Sequence, residues 1–306
     1  MKTLNQLIKI YLSYCKYQKR LSKKSIKAYS IDLKQLNNTF IFYSDINKIE
    51  ITSFFINLHK IYKPSTVRRK IASIRAFFNY LEYEEFILTN PLNKLNIKFQ
   101  IPKLLPKTIP LNLIETILNI TYHDLKIANT KYTKIIALRN IAIIELLFAT
   151  GLRVSELCSI KKNCIDLENG TINIIGKGSK ERILQIGNID VLLILKKYRN
   201  ENKINIKKAK YFFVNRLSSR LSEQSVRFMI KRIAMKAKIK NNITPHMFRH
   251  SFATQLLEED VDIRYIQQML GHSSILTTQI YTHVTQEKQR QILVLKHPRN
   301  KIKINI

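Results

Sequence analysis

The sequence predicts a mainly α protein in two parts. An N-terminal helical bundle precedes a larger mixed α/β domain, mostly helical, with a small antiparallel sheet. Three observations predict it. Apolar residues recur at three- and four-residue intervals along most of the chain, four of the seven prolines crowd into one stretch, and all six glycines fall at or after Gly151. The proline stretch, NPLNKLNIKFQIPKLLPKTIP, holds Pro91, Pro102, Pro106 and Pro110 and reads as an extended linker. The expected domains are therefore 1–90 and 111–306, with a linker at 91–110.

Before the linker, LNQLIKIYLSYC, KSIKAYSIDLKQLNNTF, NKIEITSFFINLHKIY and PSTVRRKIASIRAFFNYLE each carry a helical apolar stripe, giving four helices. After it, TINII and RILQI alternate as strands do and flank a Gly-rich turn, Gly176-Lys177-Gly178-Ser179-Lys180. Thr244-Pro245 is a helix-start signal, with Thr at the N-cap and Pro in the first helical position. Gly271 reads as the residue that ends the helix through IRYIQQML, so His272 is the first residue presented beyond it. Gln286–Leu295 is expected as a last amphipathic helix, followed by KHPRN.

Composition narrows the function. The 306 residues suffice for two cores, and an apolar fraction of 45% is ordinary. A formal net charge of +32 is not, and such self-repulsion calls for a polyanionic partner. Residues 1–106 carry 19 Lys and Arg against 6 Asp and Glu, and the remainder 34 against 15, so the charge is no tail. An AT-rich coding bias explains part of the lysine excess, but not the scarcity of acids. Nucleic acid is the first candidate partner. A membrane is disfavoured, because IAIIELLFA is short and interrupted by Glu145, and the N-terminus lacks the pattern of a signal peptide. Cys15, Cys158 and Cys164 form neither a disulfide framework nor a zinc pattern, which points to a reducing cytoplasm. No Walker A pattern is present, so no nucleotide cofactor is expected.

Chemistry-bearing residues lie in ATGLRVSEL, IIGKGSK, TPHMFRHSFATQLL and MLGHSSILTTQIYTHV. They are Arg153, Lys177, His246, Arg249, His272 and Tyr281, in that order. Attack on a phosphodiester spreads charge over its non-bridging oxygens, and guanidinium forks match two such oxygens with permanently charged donors. Donors preorganised toward developing charge supply the largest catalytic contribution in many enzymes. A phenol with a pKa of about 10 needs a base or a cationic site to act as nucleophile near neutrality, and histidines titrate in that range.

Each residue also has a plainer role open to it. Arg153 and Glu156 stand i,i+3 and suit a simple ion pair. A histidine after Thr244-Pro245 serves as a hydrogen-bonding residue in many helices, but Arg249 three positions on shares its face. His250 lies one position round and suits a supporting role. Tyr281 is one of 14 tyrosines. Either Lys177 or Lys180 could be presented by the Gly-rich turn, and a basic hairpin tip could simply grip phosphate.

The order Arg…Lys…His-x-x-Arg…His…Tyr resembles the tyrosine recombinases, the integrase-type strand-transfer enzymes, over nearly the whole chain. The resemblance implies that Arg153 and Arg249 meet the non-bridging oxygens and that Tyr281, nine residues after His272, attacks to leave a 3′-phosphotyrosine. It places the catalytic lysine at Lys177 and implies that no metal or other cofactor is used. It also implies that the N-terminal bundle is a SAM-like core-binding domain forming half of a DNA clamp. Arg68, Arg69, Lys70 and Arg75 on its fourth helix, with Lys180, are then the DNA-contact candidates, though a solvated face explains any one of them.

LSKKSIKAYSIDL, STVRRKIASIRAFFNYLEYEEFILTNPL and the ending HPR look like the Xer branch, which resolves multimers of circular chromosomes and plasmids. Phe248 in HMFRH, where Leu is usual, and the lysine-rich tail after Pro298 depart from that pattern. The resemblance implies a tetramer on two duplexes, assembled through the C-terminal segment docking onto a neighbour. A partner recombinase or a DNA translocase of the division machinery is left open. An integrase of a mobile element is the alternative, as is a catalytically silent DNA-binding relative. A metal-dependent nuclease would need converging carboxylates, and Glu258, Glu259, Asp260 and Asp262 fall together in a solvated helix–helix turn. The Xer-like N-terminal pattern also argues against a type IB topoisomerase.

Overall fold

Thr3 opens the first helix with a reciprocal cap, accepting from the Gln6 amide while the Gln6 side chain accepts from its own N–H. The computed structural model describes residues 2–93, 95, 107–175, 181–271 and 292–302. The chain divides into two compact units, Met1–Leu104 and Leu105–Ile306. Among the described residues, no helix is long and apolar enough to cross a membrane.

The first unit holds α1 (Leu4–Tyr17), α2 (Lys23–Asn37), α3 (Lys48–Ile61) and α4 (Pro64–Tyr83), the four helices expected. Ser22 and Asn47 cap α2 and α3 with their side chains, and Pro64 starts α4. Leu4, Leu7, Ile8, Tyr11 and Cys15 form one buried stripe of α1. It meets Phe77 and Tyr80 of α4, with ring centroids 5.4 and 5.1 Å from that of Tyr11.

A polar knot joins α2 to α4. Asp32 is buried and accepts from Lys70 Nζ at 3.2 Å and Ser73 Oγ at 2.9 Å, and it also pairs with Arg69. Lys70 Nζ donates further to Gln35 Oε1 at 2.7 Å. This corrects one expectation: Lys70 is buried, because its charge is used to neutralise Asp32. Arg68, Arg69 and Arg75 remain exposed on α4.

The second unit is organised around α6 (Lys131–Thr150), whose residues from Ile141 to Thr150 are all buried. A helix apolar all round belongs inside a core, and α5 (Leu111–Lys126), α8 (Ile189–Glu201) and α11 (Pro245–Glu258) pack against it. The core takes up the chain by Ile109, whose N–H donates to Ser251 Oγ of α11 at 2.6 Å. The sheet runs β1 (Ile165–Asp166), β2 (Thr171–Ile175) and β3 (Glu181–Gln185), antiparallel, with Ile172 opposite Leu184 and Ile174 opposite Arg182. The expected strands are β2 and β3. The two-residue β1 is too short to leave a periodic signal. Further helices of this unit are α7 (Val154–Leu157), α9 (Lys203–Lys208), α10 (Glu223–Lys236) and α12 (Ile263–Leu270).

Of the expected last helix, 292–296 is helical and 286–291 lies outside the described residues. Leu293 packs against Gly187, where an added Cβ would stand 2.7 Å from the Leu293 Cβ. His297 Nε2 meets the Ala149 carbonyl at 2.9 Å. Arg299 grips Glu145 with Nε at 2.7 Å and Nη2 at 2.9 Å, while the Tyr122 hydroxyl donates to the same carboxylate at 3.0 Å. Residues 292–302 are thus seated on the second unit of their own chain. Glu145 is fully buried and takes its counter-charge from the tail of the same chain.

Candidate active site

Gly151 ends α6 in the left-handed conformation, with φ of 60°. A Cβ there would lie 2.7 Å from both Leu270 Cδ2 and Phe252 Cδ1, so α11 and α12 close directly on this turn. Gly271 ends α12 in the same way, with φ of 65°, and its carbonyl lies 3.4 Å from Arg153 Nη2. Two helix C-termini therefore converge, and each presents carbonyl oxygens at the negative end of its dipole.

Arg249 bridges them. Its Nη1 donates to the Gly151 carbonyl at 2.8 Å and its Nη2 to the Leu270 carbonyl at 2.7 Å. These bonds use one hydrogen on each terminal nitrogen of a group that carries five donors. The side chain is buried. Burial first, and then the charge of Arg153, push its guanidinium down to about 10.

Arg153 caps α7. Its backbone N–H donates to Glu156 Oε2 at 2.9 Å and its Nη1 to Glu156 Oε1 at 2.9 Å, so the simple ion pair exists. It does not exhaust the arginine. Arg182 of β3 grips the same carboxylate with Nη1 at 3.1 Å and Nη2 at 3.0 Å. Burial opposes ionisation of Glu156, yet hydrogen bonds from Arg182 and from the Arg153 backbone outweigh it and hold the carboxyl below its usual range. Two guanidiniums thus share one buried carboxylate with Arg249 close by, and the side chain of Arg153 keeps 36% exposure. The cluster is short of negative charge, which suits an anionic guest.

His246 follows Pro245 on α11, one turn before Arg249. Thr244 occupies the N-cap without a side-chain cap bond. The His246 ring is held below its usual pKa by partial desolvation, then by the positive groups His250, Arg249, Arg227 and Arg153. His250 is exposed beside it. Lys177, Lys180, His272 and Tyr281 lie outside the described residues. Their flanks are informative: β2 and β3 are paired up to the ends of the turn that carries both lysines, and His272 directly follows Gly271.

Sequence reasoning missed Arg182. Its one signal was a charged residue in an otherwise alternating strand, and a surface-facing arginine leaves the same signal. Among the described residues, no group of His, Cys, Asp or Glu is placed to hold a metal ion. The acids at the end of α11 stay at a helix–helix turn, where Asp262 caps α12 and Glu259 pairs with Lys301.

Residues 120–288 match the Phage integrase family and residues 8–85 the phage integrase N-terminal SAM-like domain. A tyrosine recombinase of Agathobacter rectalis is 55% identical over 302 residues, 98% of each chain. Tyrosine recombinase XerD of Listeria monocytogenes is 36% identical over 314 residues, covering 97% of this chain and 100% of that one. The fold is similar to the XerH site-specific recombinase in its post-cleavage complex with palindromic difH substrate. That similarity has a TM-score of 0.70 at 24% identity, over 95% of this chain and 84% of that one.

Proposed function

The chain belongs to the phage integrase family and is a tyrosine recombinase, an enzyme that cuts and rejoins DNA strands; on that premise we propose that it carries out Xer-like resolution of chromosome or plasmid multimers. The observation that supports its site assignment most directly is the pair Arg153 and Arg249. They are fixed on two converging helix ends and share a cluster with more guanidiniums than carboxylates.

In this reading the scissile phosphate enters that cluster, and the two arginines meet its non-bridging oxygens. The Tyr281 oxygen attacks phosphorus, the bond to the 5′ oxygen breaks, and a 3′-phosphotyrosine remains. Lys177 gives the departing 5′ oxygen its proton, and the phenol proton of Tyr281 passes to His246 or His272, the groups that titrate near neutrality. A phosphodiester is exchanged for a phosphotyrosine, so no nucleotide is needed to drive the reaction. The 5′ hydroxyl of a partner strand reverses the step and completes the exchange.

Double-stranded DNA is the partner. The N-terminal unit serves as the core-binding half of a clamp, with Arg68 and Arg75 on its exposed α4 face touching phosphates. They stand seven residues apart and so fall on one side of the helix. Lys180 is the further contact, at the hairpin turn. Strand exchange between two duplexes calls for a tetramer, assembled in this reading through the C-terminal segment docking onto a neighbour.

Recovery of covalently trapped DNA from cells, followed by sequencing of the joined site, tests this reading. A resolution site on a chromosome or plasmid supports it. The ends of a mobile element would replace it with an integrase role.

A further inference from the structure

We propose that Arg182 is a positioning residue for strand cleavage, setting through Glu156 where the Arg153 guanidinium lies. The inference rests on Arg153 acting at the phosphate. Glu156 Oε1 accepts from Arg153 Nη1 and Arg182 Nη1, and Oε2 from the Arg153 N–H and Arg182 Nη2. Four donors fill the acceptor capacity of a carboxylate. Glu156 is nearly buried, its side chain 7% exposed, so it cannot be left short of partners without cost.

This arrangement makes the two arginines competitors for one anion. While Arg182 holds Glu156 in a two-pronged grip, Arg153 is bound through one terminal nitrogen, and its other terminal nitrogen reaches only as far as the Gly271 carbonyl. Remove Arg182 and Glu156 keeps Arg153 as its one charged partner in this cluster. Arg153 then closes on the carboxylate with both prongs and is withdrawn from the phosphate. The guanidinium of Arg182 also leans on the last turn of α12, since a Cβ on Gly271 would stand 2.9 Å from its Nη1. Arg182 thereby ties β3, the strand that leaves the lysine-bearing turn, to the residue preceding His272. It touches neither substrate nor reacting atoms in this account.

The test compares single-turnover cleavage of two duplexes. One carries an ordinary scissile phosphate. The other carries a methylphosphonate, in which a methyl group replaces a non-bridging oxygen and leaves no charge for the arginines to meet. On the ordinary duplex Arg182→Ala should slow cleavage by about tenfold to a hundredfold, the scale of a small misplacement, with non-covalent DNA affinity unchanged. On the methylphosphonate the defect should shrink to within a few fold, tracking Arg153→Ala. The double variant should be no slower than Arg153→Ala alone. Equal losses on both duplexes with additive effects, or a loss of DNA affinity, would overturn the proposal. So would rescue by sulfur at the bridging 5′ position, which would put Arg182 behind Lys177. If Arg182→Ala does not fold, Arg182→Lys keeps the charge without the fork, and the same comparison applies. Normal cleavage by Arg153→Ala would instead overturn the assignment of Arg153 itself.

Discussion

Arg249 donates to the Gly151 carbonyl at 2.8 Å, across 98 residues of chain, and so fixes the turn from which Arg153 projects. The bond explains why a buried arginine belongs here. One planar fork satisfies two helix ends that would otherwise leave carbonyls unmet, and it keeps further donors to spare.

Arg249→Ala and Arg153→Ala should each slow cleavage on the order of 10²–10³-fold, as for loss of an oxyanion donor. Arg249→Ala should also lower the thermal midpoint, because it frees the Gly151 and Leu270 carbonyls, whereas Arg153→Ala should lower it less, because Glu156 keeps Arg182 and the backbone N–H of residue 153. EDTA should alter neither the wild-type rate nor these ratios. Single-turnover kinetics and a melting curve check both statements, and equal melting losses would contradict the division of labour.

The proposed reading takes Lys177, and not Lys180, as the acid. A substrate with sulfur at the bridging 5′ position has a better leaving group and needs no proton. Lys177→Ala should be slow on ordinary DNA and largely rescued on the sulfur substrate. Lys180→Ala should show a small defect, equal on both. Rescue of Lys180→Ala would reverse the choice, and rescue of neither would move the acid to His246 or His272.

In the proposed reading, Arg68 and Arg75 contact phosphate while Lys70 serves an internal ion pair. Arg68→Ala and Arg75→Ala should each weaken DNA binding on all sequences and reduce the slope of log affinity against log salt by about one. Lys70→Ala should instead destabilise the unit by roughly 3 kcal/mol, since it strips a charged partner from buried Asp32. Binding titrations at several salt concentrations, read beside denaturant unfolding, distinguish the two. A salt-slope change for Lys70→Ala without loss of stability would contradict the buried knot.

Much of this architecture was legible in the sequence, for identifiable reasons. The four N-terminal helices carry a continuous apolar stripe, and α4 begins at Pro64 as its sequence suggests. Gly271 was legible as a helix end because a left-handed cap favours glycine strongly. The partners of the site were not. That Arg182 reaches Glu156, and which carbonyls Arg249 ties, depend on contacts between residues 21 to 98 positions apart. Periodicity carries no information on such pairs. Lys70 shows the same limit from the other side. One helix carries Arg68, Arg69, Lys70 and Arg75, and Lys70 turns inward, where Asp32 and Gln35 of α2 meet its ammonium, while Arg69 pairs with Asp32 from the exposed side.

The tail supplies a pH test. His297 is fully buried and accepts from the Arg299 N–H at Nδ1, so its Nε2 carries the proton donated to Ala149. Burial holds the imidazole down at about 4. With an unfolded value of about 6.5, the folded state binds fewer protons in between, so stability should rise with pH from about 4 to about 6.5 and be fully present above it. The full contribution is on the order of 3 kcal/mol. Unfolding midpoints measured across that range should climb for the wild type and flatten for His297→Gln. An unchanged slope in the variant would contradict the assignment.

The central claim is that Tyr281 becomes joined to DNA. A duplex nicked beside the scissile phosphate loses its short 5′-hydroxyl fragment after cleavage and traps the intermediate, which a denaturing gel resolves as a protein–DNA adduct. The wild type should accumulate that adduct, and Tyr281→Phe should bind the same duplex with unchanged affinity and form none. Adduct formation by Tyr281→Phe would contradict the account and move the nucleophile to another residue.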